Sequence, residues 1–119
     1  MKYYTALRFK ERPDLHATLT YYGEGRPGDI ATVTDFIAAK IKQQQPRQFV
    51  LDLDRQITVG WKSPVKALST GQQFPPWIVA FVPSDWLPHV TCPDDPMQLT
   101  VTAIAVMSKK TELFRWELP

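Results

Sequence analysis

Apolar and polar residues alternate with a period of two through most of this chain, and only one stretch is left that repeats at helical spacing. Lys2 to Phe9 places Tyr3, Thr5, Leu7 and Phe9 on one side and Tyr4, Ala6 and Arg8 on the other, as a half-buried strand does. The turn Glu11-Arg12-Pro13-Asp14 ends it. Leu15 to Tyr22 then alternates again, so Leu15, Ala17, Leu19 and Tyr21 are expected in the core, with His16, Thr18, Thr20 and Tyr22 together on the opposite face.

Gly23 to Gly28 reads as a turn-rich loop, and Asp29 as the N-cap of a helix that runs to about Gln45 and is stopped by Pro46. Ile30, Val33, Ile37 and Ile41 form its apolar stripe, widened by Phe36 and Ala38. Gln48 to Trp61 alternates as two strands around Asp54-Arg55, and Val65 to Ser69 adds a short one. The unbroken apolar run Trp77 to Val82 fits a strand buried on both faces. Pro88 to Thr91 is a short strand, and Gln98 to Met107 pairs with Glu112 to Leu118 as a hairpin across residues 108–111. The tally, about eight strands and one helix, is an α+β protein.

A chain of 119 residues makes one domain, large enough to fold on its own core. With 14 Lys and Arg against 12 Asp and Glu, net charge does not predict a surface that coats nucleic acid, so an anionic ligand has to be held locally. The single cysteine, Cys92, excludes an internal disulfide and a cysteine-rich zinc site, and it favours a reducing compartment. No stretch resembles a signal peptide or approaches a membrane span. The expectation is a cytoplasmic protein, in the host cytoplasm if the source is viral, with no membrane partner.

The chain holds two histidines, and each is followed by an apolar residue and then threonine: His16-Ala17-Thr18 and His89-Val90-Thr91. Threonine fills eleven of 119 positions, so chance gives this coincidence only about 1% of the time. On a strand, residues two apart share a face, which sets each imidazole beside a hydroxyl. If the two strands converge, two imidazoles and two hydroxyls flank one cleft. One histidine takes a proton from the nucleophile and the other gives one to the leaving oxygen, roles suited to a pKa near 6.5, while Thr18 and Thr91 hold the phosphoryl oxygens. No metal or other cofactor is required. Which histidine is acid and which is base stays open. On the neighbouring strand, Arg8 is a candidate to neutralise phosphate and Tyr4 to stack on a base, and Thr20 and Tyr22 are candidate pocket residues on the His16 face.

These residues, His16-Ala17-Thr18-Leu19 and Pro88-His89-Val90-Thr91, resemble the paired His-x-Ser/Thr motifs of the 2H phosphoesterase superfamily, the group that includes the LigT-like RNA ligase/cyclic phosphodiesterases. The order of elements is similar along essentially the whole chain. The resemblance implies a bilobal fold of antiparallel sheets around a central cleft, with lobe 1 at about 1–70, lobe 2 at about 71–119, and the terminal strands interleaving them. It also implies cofactor-free cleavage of 2′,3′-cyclic phosphates, 2′-5′ linked oligonucleotides or cyclic oligonucleotides, and some relatives from viruses and phages destroy such messengers to disarm host immunity. The chain departs from the pattern before the second motif. Pro75, Pro76, Pro83 and Pro88 leave no room for the helix that members carry there, so the second lobe is abridged and a homodimer is one way to cover it.

Other features read more plainly. Trp61, Phe74, Trp77 and Trp86 are taken as core residues, and Lys62, Lys66, Lys109 and Lys110 as solvated charges. Cys92 is expected to point away from the histidine face, and Gly23-Glu24-Gly25 lacks phosphate-loop spacing. The competing function is a protein that sequesters a nucleotide in the same cleft without cutting it, and a third is an interaction module with no nucleotide ligand.

Overall fold

The computed structural model describes residues 1–91 and 95–119, so the expectation for Cys92 lies outside the described residues. Nine regular elements of strand and α-helix follow in order: β1 (Lys2–Phe9), β2 (His16–Glu24), α1 (Pro27–Gln44), β3 (Phe49–Leu53), β4 (Arg55–Val59), β5 (Val65–Ser69), β6 (His89–Val90), β7 (Met97–Ser108) and β8 (Thr111–Glu117). All strand pairings are antiparallel. The α+β class expected from the alternation is the class observed.

Two sheets result. The larger has the order β2-β1-β7-β3, with β8 also paired to β7, and the smaller has the order β4-β5-β6. Each sheet therefore ends on a strand that carries one His-x-Thr motif, and these two edges, β2 and β6, lie against each other. One hydrophobic core runs through both sheets. It joins Leu7, Ala17, Leu19, Leu51, Leu99 and Ile104 of the larger sheet to Leu68 and Val90 of the smaller, with Ile37 of α1 covering them.

The helix begins three residues before the position expected, with its N-cap at residue 26 rather than 29. Pro27 opens it with its φ already set for a helix, Arg26 is the N-cap residue, and Asp29 sits at N3, where its carboxylate accepts the Arg26 backbone N–H at 2.9 Å. Its buried face is Ile30, Thr34 and Ile37. Phe36, expected to widen the stripe, is 52% exposed, with the Lys40 ammonium over its ring; it lies a helical turn's fraction off the Ile30–Ile37 line.

Trp77 to Val82 is not a strand. Pro76–Ala80 forms a 3₁₀ turn that buries Trp77 and Ile78 while Val79 stays exposed. Pro75 and Pro76 fix φ near helical values at its start, and an unbroken apolar run has no periodicity to distinguish a strand from a buried turn. The segment sits where the prolines were expected to leave no room for a full helix, and its side chains Trp77, Ile78 and Phe81 join the common core.

The register of β2 on β1 differs from simple alternation in a way that matters for the site. Ala6 faces Thr18 but Thr5 faces Thr20, so Leu19 is an extra residue; Tyr4 faces Tyr21 and Tyr3 faces Gly23, so Tyr22 is a second one. An extra residue in one strand of a pair exchanges the faces of everything beyond it. Thr20 therefore turns to the core side, Tyr21 comes to the open side, and Tyr22 stacks on Tyr3 at 5.1 Å beside Ile30. Gly23 absorbs the distortion with φ 80°, the left-handed region that glycine enters freely.

The segment between the 3₁₀ turn and β6 is clasped to the β2 edge by two hydrogen bonds. The Thr20 hydroxyl donates to the Phe81 carbonyl at 2.8 Å, and Trp86 Nε1–H donates to the Thr18 carbonyl at 2.9 Å. Thr20→Val keeps the side-chain shape and removes one of these, leaving the Phe81 carbonyl unpaired. It is expected to lower unfolding free energy by about 1–2 kcal/mol, read as the shift of the urea midpoint; an unchanged midpoint would show that the clasp carries no stability.

Candidate active site

His16 opens β2 and His89 opens β6, each on the edge strand of its own sheet. A cavity of about 380 Å³ lies between the sheets and is lined by Asp14, Leu15, His16, Thr91 and Lys110. A smaller recess of about 130 Å³ adjoins it and shares Asp14, His16 and Lys110. One motif thus contributes its histidine to the cavity and the other its threonine.

His16 is half-buried and rests on the ring of Tyr4, with centroids 5.1 Å apart. Its pKa is held below the ordinary value of 6.5 first by burial, then by the charges of Arg8 and His89. His89 therefore lies near enough for its charge to reach His16. His89 Nδ1 lies 2.8 Å from the Leu87 carbonyl. A carbonyl only accepts, so Nδ1 carries the hydrogen and Nε2 is left free to exchange a proton. The Ser69 hydroxyl donates to the Pro88 carbonyl, and β5 pairs with β6 through Ser69–His89, which together fix the backbone that presents this ring.

The hydroxyls divide into two kinds. Thr20 is committed to the Phe81 carbonyl. Thr91 is exposed in the cavity wall and Thr18 is half-buried one strand position beyond His16 on the same face.

Of the four residues expected to bind substrate, Arg8 lines the smaller recess beside His16, and Tyr4, Thr20 and Tyr22 have other positions. Arg8 is 8% exposed. Its guanidinium donates to Glu112 Oε1 at 2.9 Å, to the Pro13 carbonyl at 2.6 Å and to the Leu15 carbonyl at 3.2 Å. It braces the 10–15 turn from below, and its charge reaches the site through His16. Tyr4 is also 8% exposed, with its hydroxyl donated to the Lys109 carbonyl, so it supports His16 and offers no free ring face to a base. Thr20 and Tyr22 were placed beside His16 by alternation, and the extra residues in β2 turn both to the core side.

Two residues that the pattern did not place at the site, Asp14 and Lys110, line the cavity, and a third, Tyr21, shares the sheet face of His16 without lining it. Asp14 lines both recesses and stays ionised, because its carboxylate accepts two hydrogen bonds from Arg12, at 3.0 and 2.9 Å. Lys110 lines both as well. Tyr21 is 59% exposed and, being opposite Tyr4, projects from the His16 face. Only the register of β2 and the packing of the hairpin turn reveal Tyr21 and Lys110. Among the described residues no group of three or more His, Cys, Asp or Glu side chains is arranged to hold a metal ion, and no helix is long and apolar enough to cross a membrane.

Because the folded-state pKa of His16 is depressed, the unfolded chain takes up this proton first as pH falls. The wild type should therefore lose stability below pH 6.5, and more so as pH approaches the folded-state pKa, with no penalty above that range. His16→Asn should lose less stability between pH 7.5 and 5, measured as thermal midpoints; parallel profiles for the two proteins would contradict the depressed pKa.

No family model and no curated protein matches this chain. Solved structures do. Escherichia coli LigT complexed with 3′-AMP superposes with a TM-score of 0.64 at 19% identity, covering 98% of this chain and 97% of the other. The same protein complexed with NADP+ gives a TM-score of 0.63 at 17% identity over the same shares. A crystal structure of a phosphoesterase gives 0.61 at 18% identity, covering 98% of both chains. The chain thus has a LigT-like fold over essentially its full length.

Proposed function

We propose that a chain with this fold is a metal-independent phosphodiesterase that uses His16 and His89 as an acid-base pair. The observation that carries the reading is the meeting of the two motif strands at one cavity, with His16 and Thr91 in its wall and His89 near enough to lower the pKa of His16.

In this reading His16, kept neutral by burial and by two nearby positive charges, is the general base. It takes the proton from a water that attacks phosphorus. His89, whose Nδ1–H is tied to Leu87, protonates through Nε2 the ribose oxygen that leaves as the P–O bond breaks. Thr18 and Thr91 donate hydrogen bonds to the non-bridging oxygens as charge gathers there. The proton balance closes when the two imidazoles exchange states through solvent.

The size of the cavity supports a nucleotide as the substrate class. About 380 Å³ accommodates a nucleotide rather than a polymer duplex, and LigT has been crystallised with 3′-AMP, ATP and NADP+. We assign 2′,3′-cyclic phosphates, 2′-5′ linked oligonucleotides or cyclic oligonucleotides as substrates, with host immune messengers among them, and a reducing cytoplasm as the place of action. Residues 1–119 act as one domain with its two lobes meeting at the cleft. The short β6 and three-stranded second sheet favour one alternative, a protein that captures the same nucleotide without cutting it.

Product analysis by mass on a panel of cyclic and 2′-5′ linked nucleotides, with chelator present, tests this reading. His16→Ala and His89→Ala should each lower kcat/KM by roughly 10²–10⁴ with circular dichroism unchanged, and Thr91→Val by on the order of 10². Wild-type turnover in either histidine variant would overturn the mechanism. Intact ligand recovered from a tight wild-type complex would establish capture instead.

A further inference from the structure

We propose that Lys110 is the cation that binds the phosphoryl group in the cleft, and that Tyr4 is the positioning residue that holds it there. The proposal deepens the two-histidine reading and rests on it.

A phosphate approaching His16 meets few available positive charges. Arg8 reaches the wall of the smaller recess, but it is buried and each of its three nitrogens already donates, to Glu112, Leu15 and Pro13. Arg12 is paired with Asp14, the only carboxylate among the described residues of the cavity wall. Lys110 is different. It lines both the larger cavity and the smaller recess, next to His16 in each, and it is exposed, with no ion pair to a described residue. A lysine ammonium is a compact charge with three rotatable donors, suited to an oxyanion whose orientation changes along a reaction. With Asp14 on the same wall repelling an anion, Lys110 decides where in the cavity the phosphate rests.

The turn that carries Lys110 is held from outside. Ser108 pairs with Thr111, leaving Lys109 and Lys110 as a two-residue connection between β7 and β8. Lys109 has φ 55°, a left-handed conformation that a residue with a Cβ adopts only where its surroundings support it. Two hydrogen bonds to β1 support it: the Tyr4 hydroxyl donates to the Lys109 carbonyl, and the Ser108 hydroxyl donates to the Lys2 carbonyl at 2.7 Å. The ring of that same Tyr4 lies against His16. One buried side chain therefore sets the imidazole and the lysine relative to each other.

The test is a titration with inorganic phosphate, followed through the imidazole NMR signals of His16 and His89, which needs no turnover. Lys110→Gln should weaken phosphate binding about tenfold or more and reduce its salt dependence, while Lys110→Arg stays within a few-fold of wild type. Tyr4→Phe, which keeps the ring against His16 and deletes the hydroxyl, should weaken binding by a smaller factor, with Lys110→Gln adding less in that background than alone. Unchanged phosphate affinity in Lys110→Gln overturns the assignment of Lys110, and the two-histidine reading still stands if His16→Ala abolishes cleavage. Phosphate that moves neither imidazole signal in the wild type overturns both.

Discussion

Two sheet edges facing each other hold this molecule's site together. A lone sheet edge exposes unpaired N–H and C=O groups, a liability that proteins cover or blunt. Here β2 ends the larger sheet and β6 the smaller, and each covers the other. The connection between them is fastened to β2 by the Thr20–Phe81 and Trp86–Thr18 hydrogen bonds. Beneath the junction, Ala17 and Leu19 of one sheet share a core with Leu68 and Val90 of the other. The outward residues of the same strands, His16 and Thr91, are left to form the wall of the cavity.

Charge is distributed around that wall by burial. Arg8 is buried beneath the smaller recess, where a guanidinium has to be satisfied, and Glu112 with two backbone carbonyls does so. Its remaining influence is electrostatic: after burial, and together with His89, its charge holds the pKa of His16 below the ordinary value. A neutral imidazole suits a proton acceptor. The bond from Tyr4 to Lys109 links this buried layer to the exposed turn that carries Lys110, so the floor of the site and its rim are mechanically one piece.

The register of a single strand explains most of the differences between pattern and structure. Alternation places Tyr3, Leu7, Phe9, Ala17 and Leu19 in the core and His16 and Thr18 opposite them, and each is where the pattern puts it. Beyond Leu19 the pattern fails. One extra residue exchanges the faces of Thr20 and Tyr21, and nothing in the local sequence marks it, because threonine and tyrosine suit either face of a strand. The 3₁₀ turn at Pro76–Ala80 was illegible for a related reason, since an unbroken apolar run is compatible with any buried conformation.

By itself the sequence determined the α+β class, the single helix, the terminal hairpin and the two His-x-Thr strands, because each depends on periodicity or turn chemistry within a few residues. Tertiary structure alone decided that those strands are neighbouring edges, that Arg8 and Tyr4 lie inside as supports, and that Lys110 and Tyr21 face the open side. Those outcomes depend on pairings between residues far apart in the chain, such as Tyr4 with Lys109 and Arg8 with Glu112, and local spacing carries no information about which distant groups will meet.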